Sequence, residues 1–414
     1  MSSAANEAST TASTPRFQEK REAVLAAAAR HFNQQGVKGA TLADIAASVG
    51  LVTTSVTYYY RKKEDLATAC FLRAIAAHEA LVDEAARAPT VALRLAALFR
   101  GHAEALAAMD AGTRPPLILF NDIRALPEPQ QSQVFEAYTN LFRRVRGLFT
   151  GPESAGWTRE QLNARTHLLV SVAHWVRSWI HRFELDDYPR AAARVTDILL
   201  RGVAVAGAAW PAPAALDQAL LLVTPDSTEE AFLRAATELV NEQGYRGASV
   251  DKISARLNVT KGSFYHHNDN KRDLISACFE RSFSLLRRVL AAAESAAGPG
   301  WERTCAGAAA VLRYQLSEHG PLLRSTATSA LPDQAHREQV RRTMLRLIER
   351  ITSVLVDGMM DGSVRPLDPA IAAQVLFAQI NAASELRRWV PSARVDNVAA
   401  LYLRPGLLGL LCEP

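Results

Sequence analysis

The chain has 414 residues, of which 49% are apolar, and a formal net charge of +5. At roughly 100 to 200 residues per domain, this length predicts two to four domains. Alanine dominates and strand-like alternation is rare, so we expect an all-α fold. No apolar run reaches the roughly 18 to 20 residues of a membrane helix, and the four cysteines show no zinc-like spacing. We therefore expect a cytoplasmic protein with no membrane partner, no cofactor and no metal.

Two segments, residues 22–73 and 230–281, align without a gap at a constant offset of 208 residues. Gly36 aligns with Gly244 in this register, and Cys70 aligns with Cys278. Chance similarity between alanine-rich helices would match alanines, but it would not keep glycines and a Lys-x-Asp-Leu sequence in register. We infer an internal duplication of a unit of about 200 residues.

Three short helices are predicted at the start of the first copy. Apolar residues at helical spacing predict a helix over 17–35 that ends at Gly36. Thr41 is the expected N-cap of a second helix that stops at Gly50, and a third helix is expected over about 53–60. We expect Tyr58 and Tyr59 to face outward there, and Tyr60 to close the core.

The second copy predicts the same layout, with helices over about 227–243 and 260–267 and with Ser249 as the middle N-cap. Each copy is followed by a long helical pattern with short breaks at proline and glycine. The boundaries we expect are a disordered tail over 1–15, a first head over 16–66, a helical region over 67–210, a linker over 211–226, a second head over 227–274 and a second helical region over 275–414.

A short capped helix, a turn with glycine and a second short helix form the helix-turn-helix pattern. The second helix of this motif enters the major groove of DNA by its N-terminal end, and flanking residues contact phosphates. The predicted DNA contacts are Thr41, Thr53, Thr54, Ser55, Thr57, Tyr58, Tyr59 and Lys63 in the first copy, and Ser249, Lys261, Gly262, Ser263, Tyr265, His266, His267 and Lys271 in the second.

The segment from Gly50 to Leu66 resembles the recognition segment of TetR-family transcriptional regulators, and 259–267 resembles it more closely. Phe32 and Gly36 meet the family's Phe-x-x-x-Gly pattern upstream. The resemblance implies an all-α fold with two TetR-like units, each with a three-helix head and a helical ligand-binding and dimerisation region, that form a pseudo-dimer within one chain. It also implies a nucleoid-associated repressor of double-stranded operator DNA that responds to a small-molecule effector.

The two heads differ in charge and sequence. Residues 16–66 have a net charge of +3, whereas 224–274 have a net charge of −1. The second copy has Asn258 at the usual glycine of the turn and Asn268 at the aromatic that closes the third helix, while the first has Thr57 at the usual tyrosine. We therefore predict an operator with unlike half-sites.

The resemblance further implies that helices over about 159–183 and 191–207 pair with helices over about 369–389 and 394–411. An effector pocket would lie between each head and this interface. Its candidate residues are Arg114, Phe120, Arg124, Tyr138, Phe142 and Trp175, which would suit an apolar or acyl-type anion or an aromatic one. His167, His174 and His181 recur every seven residues, and they fit a pocket wall, a metal site or a packed helix.

Other functions stay open at this point. The chain could associate as a homodimer that uses mainly the first head, with the second unit as a scaffold or a non-DNA interaction module. An enzyme is not expected, because the sequence has no glycine-rich phosphate loop, no GxSxG and no HExxH.

Overall fold

The computed structural model describes residues 15–211, 228–259, 271–331 and 333–413. The first unit contains eight described α-helices. They are α1 (Pro15–Gly39), α2 (Leu42–Ala47), α3 (Thr53–Tyr59), α4 (Lys63–Ala86), α5 (Val91–Asp110), α6 (Gln130–Gly147), α7 (Arg159–Val176) and α8 (Tyr188–Arg201). A 3-10 turn over Phe120–Ala125 lies between α5 and α6.

The second unit repeats this order. Its described helices are α9 (Thr228–Gly247), α10 (Val250–Arg256), α11 (Lys271–Ser295), α12 (Gly300–Leu316), α13 (Gln334–Met360), α14 (Pro369–Ala382), α15 (Leu386–Trp389) and α16 (Arg404–Leu408), with a π-helical turn over Ala399–Leu403 before the last. The described chain is therefore all-α, and one isolated bridge between Ala204 and Val364 is its sole β-type pairing. None of its described helices combines the length and apolarity needed to cross a membrane.

Equivalent positions of the duplication have equivalent structures. Gly36 (φ 71°) and Gly244 (φ 73°) adopt left-handed backbone and break α1 and α9, where helix ends were predicted. The Sγ atoms of Cys70 and Cys278 lie 3.6 and 3.4 Å from the carbonyls of Leu25 and Leu233, which also align at the same offset. Burial raises the pKa of both thiols to about 12, so they remain protonated inside the core.

The two units share a buried interface formed by their last helices. Helices α7 and α8 of the first unit pack against α14, and both also contact α16. Arg165 on α7 is 1% exposed, and it donates from Nε to the Leu410 carbonyl and from Nη2 to the Cys412 carbonyl, both at 2.9 Å. A buried guanidinium needs such acceptors, so this arginine fixes the C-terminal segment of one unit on the other.

Further polar contacts cross the interface at defined positions. His167 Nδ1 lies 3.0 Å from the Tyr402 hydroxyl, which donates to the Gln379 carbonyl at 3.2 Å. Trp175 Nε1 donates to Gln374 Oε1 at 2.8 Å. These contacts join the helices that the sequence predicts to pair, and they do so within one chain.

The end of α8 and the C-terminal segment cross each other at two glycines. Val203 N donates to the Leu407 carbonyl at 2.8 Å, and Leu410 N donates to the Leu199 carbonyl at 2.7 Å. A Cβ on Gly202 would lie 2.2 Å from the Leu407 oxygen, and one on Gly409 would lie 2.3 Å from the Leu200 oxygen. Only glycine permits this approach of the two backbones.

We predict that Gly202→Ala destabilises the chain by about 2 kcal/mol more than Gly207→Ala, measured by urea denaturation. Both glycines have positive φ, at 66° and 77°, so both variants incur backbone strain of about 1 to 3 kcal/mol before any clash. A Cβ on Gly207 meets nothing within 4 Å, which makes it the matched control for the interface clash. Equal losses in the two variants would show that the backbones do not cross as closely as described.

Candidate functional site

The first head places two short helices across a tight turn. Thr41 caps α2, where its side chain accepts from Asp44 N at 3.1 Å, and Gly50 turns the chain with φ 67°. Ile45 on α2 and Val56 on α3 are both fully buried, so they hold the two helices together. The arrangement is a helix-turn-helix with α3 as its outer helix.

The predicted contact residues differ in exposure. Thr53 and Thr54 are exposed at the front of α3, and Tyr58 is 77% exposed. Ser55 and Thr57 are half-buried, and the Thr57 hydroxyl donates to the Thr54 carbonyl at 3.0 Å. The exposed side of α3 therefore offers two threonines at its N-terminal end and a tyrosine near its C-terminal end for contacts with DNA.

The orientations of the three consecutive tyrosines, Tyr58 to Tyr60, agree in part with those predicted from the sequence. Tyr60 is buried as predicted, at 8% exposure. Tyr59 does not simply face outward, because its ring packs on Phe17 of α1 at 4.8 Å between centroids. Lys63 opens α4 and donates from Nζ to the Lys38 carbonyl at 3.1 Å, so it braces the end of α1 beside the motif.

The described part of the second head explains one of its departures from the first. Asn258 has φ 55° at the position of Gly50, and asparagine is the residue that adopts left-handed backbone most readily after glycine. Ser249 caps α10 by accepting from Lys252 N at 3.2 Å. Arg256 pairs with Glu238 at 3.2 Å and Glu242 at 3.1 Å, so acidic residues of α9 neutralise it.

Six predicted contacts of the second head, together with Asn268, lie outside the described residues. The six are Lys261, Gly262, Ser263, Tyr265, His266 and His267. Lys271 is described, and it opens α11 as Lys63 opens α4.

A cavity of about 650 Å³ lies between the two units. Five of the six predicted pocket residues line it, namely Phe120, Arg124, Tyr138, Phe142 and Trp175. Arg114 does not, because it lies in the loop that follows α5. His167, His174 and His181 line the wall as well. The sequence prediction missed the contribution of the second unit, which includes Arg324, Arg341, Gln374, Glu385 and Arg388.

One charged cluster closes the head side of this cavity. Glu385 accepts from Arg324 and, at 2.7 Å, from Arg124. Burial raises the pKa of Glu385, but the fields of Arg324 and Arg124 outweigh burial and hold that pKa below its ordinary value. The carboxylate is therefore ionised at neutral pH.

The cavity wall is tied to both heads through a repeated asparagine that the sequence prediction missed. Asn33 on α1 donates to the Leu117 carbonyl at 2.9 Å and accepts from Leu119 N at 2.8 Å. Asn241 on α9, 208 residues later, donates to the Leu322 carbonyl at 2.9 Å and accepts from Arg324 N at 3.1 Å. The recurrence of this asparagine at the 208-residue offset was the feature of the sequence that could have identified it.

Three histidines meet beside Phe120 and Tyr138. The His78 ring centroid lies 5.7 Å from that of His102 and 6.3 Å from that of His174. Burial lowers the pKa of His102 and of His174 to about 3, so these rings are neutral at physiological pH. No group of three or more histidine, cysteine or acidic side chains in the described ranges is arranged to hold a metal ion.

The family described as bacterial regulatory proteins, tetR family, matches residues 24–70 and 232–278. Both matches coincide with the two heads. The two heads are those of the TetR family. The chain contains two copies of this DNA-binding head, one in each unit.

Individual TetR-family relatives align with part of the chain. The transcriptional repressor DhaR of Mycobacterium sp. (strain GP1) is 29% identical over 153 residues, which is 36% of this chain and 75% of that protein. The Tn10 TetC protein of Escherichia coli is 42% identical over 60 residues, which is 14% of this chain and 30% of TetC. The chain thus spans less than a third of TetC. The solved structure of PfmR from Thermus thermophilus is 23% identical and covers 43% of this chain and 98% of its own, with a TM-score of 0.35.

The neutral histidines of this TetR-type chain predict an acid-sensitive fold. Since the folded-state pKa of His102 lies near 3 and the unfolded value near 6.5, the unfolded chain binds the extra proton as pH falls. The contribution of the neutral His102 to the free energy of unfolding is complete above about pH 6.5 and is lost progressively toward pH 3. In His102→Gln the loss between pH 6 and 4, measured by urea denaturation, should be shallower by up to about 1.4 kcal/mol per pH unit.

The matched control for this prediction is His181→Gln, because His181 is an exposed histidine. It should retain the slope of the unchanged protein. A His102→Gln slope as steep as that of the control would contradict the prediction.

Proposed function

We propose that the chain is a repressor that reads an asymmetric operator as a covalent pseudo-dimer and is released by a small-molecule effector. The observation that carries this proposal is the union of two unlike heads in one chain through a buried intrachain interface. An ordinary dimer presents identical heads to the two half-sites, whereas this chain presents different ones. The unit boundaries proposed are those given by the duplication, at residues 66, 210, 226 and 274.

The first head reads one half-site with Thr53 and Thr54 at the N-terminal end of α3 and with the exposed Tyr58 near its C-terminal end. In the second head, Lys261 and Ser263 take the positions of Thr53 and Ser55 at the 208-residue offset. A lysine donates to guanine acceptors in the major groove, and a threonine hydroxyl contacts either kind of base. The half-sites should therefore differ in sequence and lie about one helical turn apart.

A monomer is the favoured binding species. The faces of α7 and α8 that would form a homodimer interface in the family are covered by α14 and α16 of the same chain. The effector would occupy the cavity between the units, where the wall contacts both heads through Asn33 and Asn241. Mass measurement in solution, free and with DNA, should give one chain in both states.

Selection of bound DNA from a random pool tests the reading of the operator. The recovered sites should have unlike half-sites. Thr54→Ala should relax base preference in one half-site and Lys261→Ala in the other, with a loss of about 1 to 3 kcal/mol each at the affected position. Each variant serves as the control for the other. A symmetrical palindrome, or two variants that relax the same half-site, would refute the proposal.

Lys63→Ala should act differently from both. Because a phosphate contact carries no sequence information, this variant should weaken binding to all sites alike. The slope of the logarithm of the binding constant against the logarithm of the salt concentration should fall by about one, which corresponds to one fewer counterion released. Binding titrations at several salt concentrations measure both quantities. Since Lys63 also donates to Lys38, urea denaturation of the variant must show an intact fold.

A further inference from the structure

The charged wall of the cavity contains an internal anion that a ligand could replace. Six arginines line the cavity, and Glu385 is the sole carboxylate among its described lining residues. The Glu385 side chain is 29% exposed, and it bridges Arg124 of the first unit and Arg324 of the second. The remaining excess of positive charge favours a negatively charged occupant.

The same two arginines hold the second head. Arg124 donates to the main-chain carbonyl of Asn241 on α9, and Arg324 donates to the same oxygen at 2.6 Å. One carboxylate therefore orients two guanidinium groups, and both guanidinium groups hold one carbonyl of the second head. A change in the contact with the Glu385 carboxylate would therefore affect the hydrogen bonds that Arg124 and Arg324 donate to the Asn241 carbonyl on α9.

Several polar atoms of the residues that line the cavity lack partners. Ser325 Oγ, Thr328 Oγ1, Gln374 Nε2 and Arg324 Nε are buried and make no hydrogen bond with the described residues. The Gln374 residue is only 2% exposed, while its Oε1 is occupied by Trp175. Unpaired buried donors are unfavourable, and an oxyanion beside Arg324 would offer acceptors to the donors nearest to it.

The aromatic residues of the cavity wall are suited to a ligand with a flat apolar ring system. Phe120 lies 5.2 Å from Tyr138 between ring centroids, and Phe142 stacks on Trp389 at 3.8 Å. The volume of about 650 Å³ is that of a site for a drug-sized ligand.

In the described ranges, neither unit has a roomy pocket of its own beside His78 or beside its counterpart in the second unit, because the pocket that His78 lines measures about 40 Å³. That counterpart is Leu286, and the small cavity it lines measures about 50 Å³ and is walled by aliphatic residues such as Val311, Leu347 and Ile380. The cavity of about 650 Å³, by contrast, is lined by residues of both units, so each chain contains one such shared cavity among its described residues.

We propose that the cavity binds one amphipathic anion per chain, whose carboxylate, sulfonate or phosphate group replaces Glu385 between Arg124 and Arg324 and loosens the hold on Asn241. This proposal rests on the proposed ligand response and adds to it the ligand class, the stoichiometry and the head that is affected. The second head is released first, because both arginines contact α9.

A pair of matched dyes tests the site without DNA. 8-Anilinonaphthalene-1-sulfonate is an aromatic anion that fluoresces when it is buried. N-Phenyl-1-naphthylamine has the same aromatic framework without the sulfonate group. The anionic dye should bind the full chain with a stoichiometry of one. Glu385→Gln should tighten its binding roughly tenfold, because a competing negative charge within a few ångströms is removed.

Arg124→Gln should weaken the anionic dye roughly tenfold, and neither variant should change the affinity of the neutral dye by more than about twofold. A poorly folded variant would also bind more of the anionic dye, but it would bind several molecules per chain and would bind the neutral dye more tightly as well. A stoichiometry of one with an unchanged affinity for the neutral dye therefore separates the proposed tightening from poor folding. Glu104→Gln, an exposed change on α5, is the control and should leave both dyes unaffected. Several dyes per chain, unchanged affinity in Glu385→Gln, or equal shifts for the two dyes would overturn the proposed site.

Hydrogen exchange tests the link to the head. The anionic dye should speed amide exchange over 238–247 at the end of α9, and the neutral dye should not. Unchanged exchange with the dye bound would overturn the link to Asn241. Because no step uses DNA, failure of the proposed operator reading would appear in the DNA selection alone, and failure here would leave that selection intact.

Discussion

The crossing of two backbones at Gly202 and Gly409 determines how the two units are joined. The main-chain hydrogen bonds on either side of the crossing require that α8 and the C-terminal segment approach without side chains between them. Arg165 then finds carbonyl acceptors in that same segment, although it lies on α7. The four interface helices are thereby fixed relative to one another, and the cavity between the units takes its shape from them.

Because the two units are joined in one chain, they are not required to be identical, as the two subunits of a symmetric homodimer are. In a homodimer every substitution occurs twice, so a side chain near the axis meets its own copy. Here Glu385 meets two arginines from different units, and its first-unit counterpart need not be acidic. The histidine-lined pocket of the first unit can likewise face an aliphatic one in the second. The central cavity is thus asymmetric in charge as well as in shape.

The sequence predicted the repeated parts of the fold well, because duplication doubles each signal. Gly36 with Gly244 marked real breaks of backbone, and Cys70 with Cys278 marked equivalent buried positions. Asn33 and Asn241 were also repeated, but an asparagine on a helix has many roles, and its partners are main-chain atoms some 80 residues away. Five pocket residues of the first unit were found for their aromatic or basic character. Arg324 and Glu385 were not, because no pattern along the chain reveals which residues of the other unit share a cavity.

The two heads depend on the cavity wall to different degrees. In the first head Val37 N donates to Asp122 at 2.6 Å, a contact next to the left-handed break at Gly36. In the second head the equivalent region is held by Arg124 and Arg324 at Asn241, and both guanidinium groups take their orientation from Glu385. A neutral ligand could fill the apolar part of the cavity and leave all of these contacts in place. An anion cannot, since it must compete with Glu385 for the same donors. In the proposed ligand response, the position of that one carboxylate makes the charge of the ligand more important than its shape.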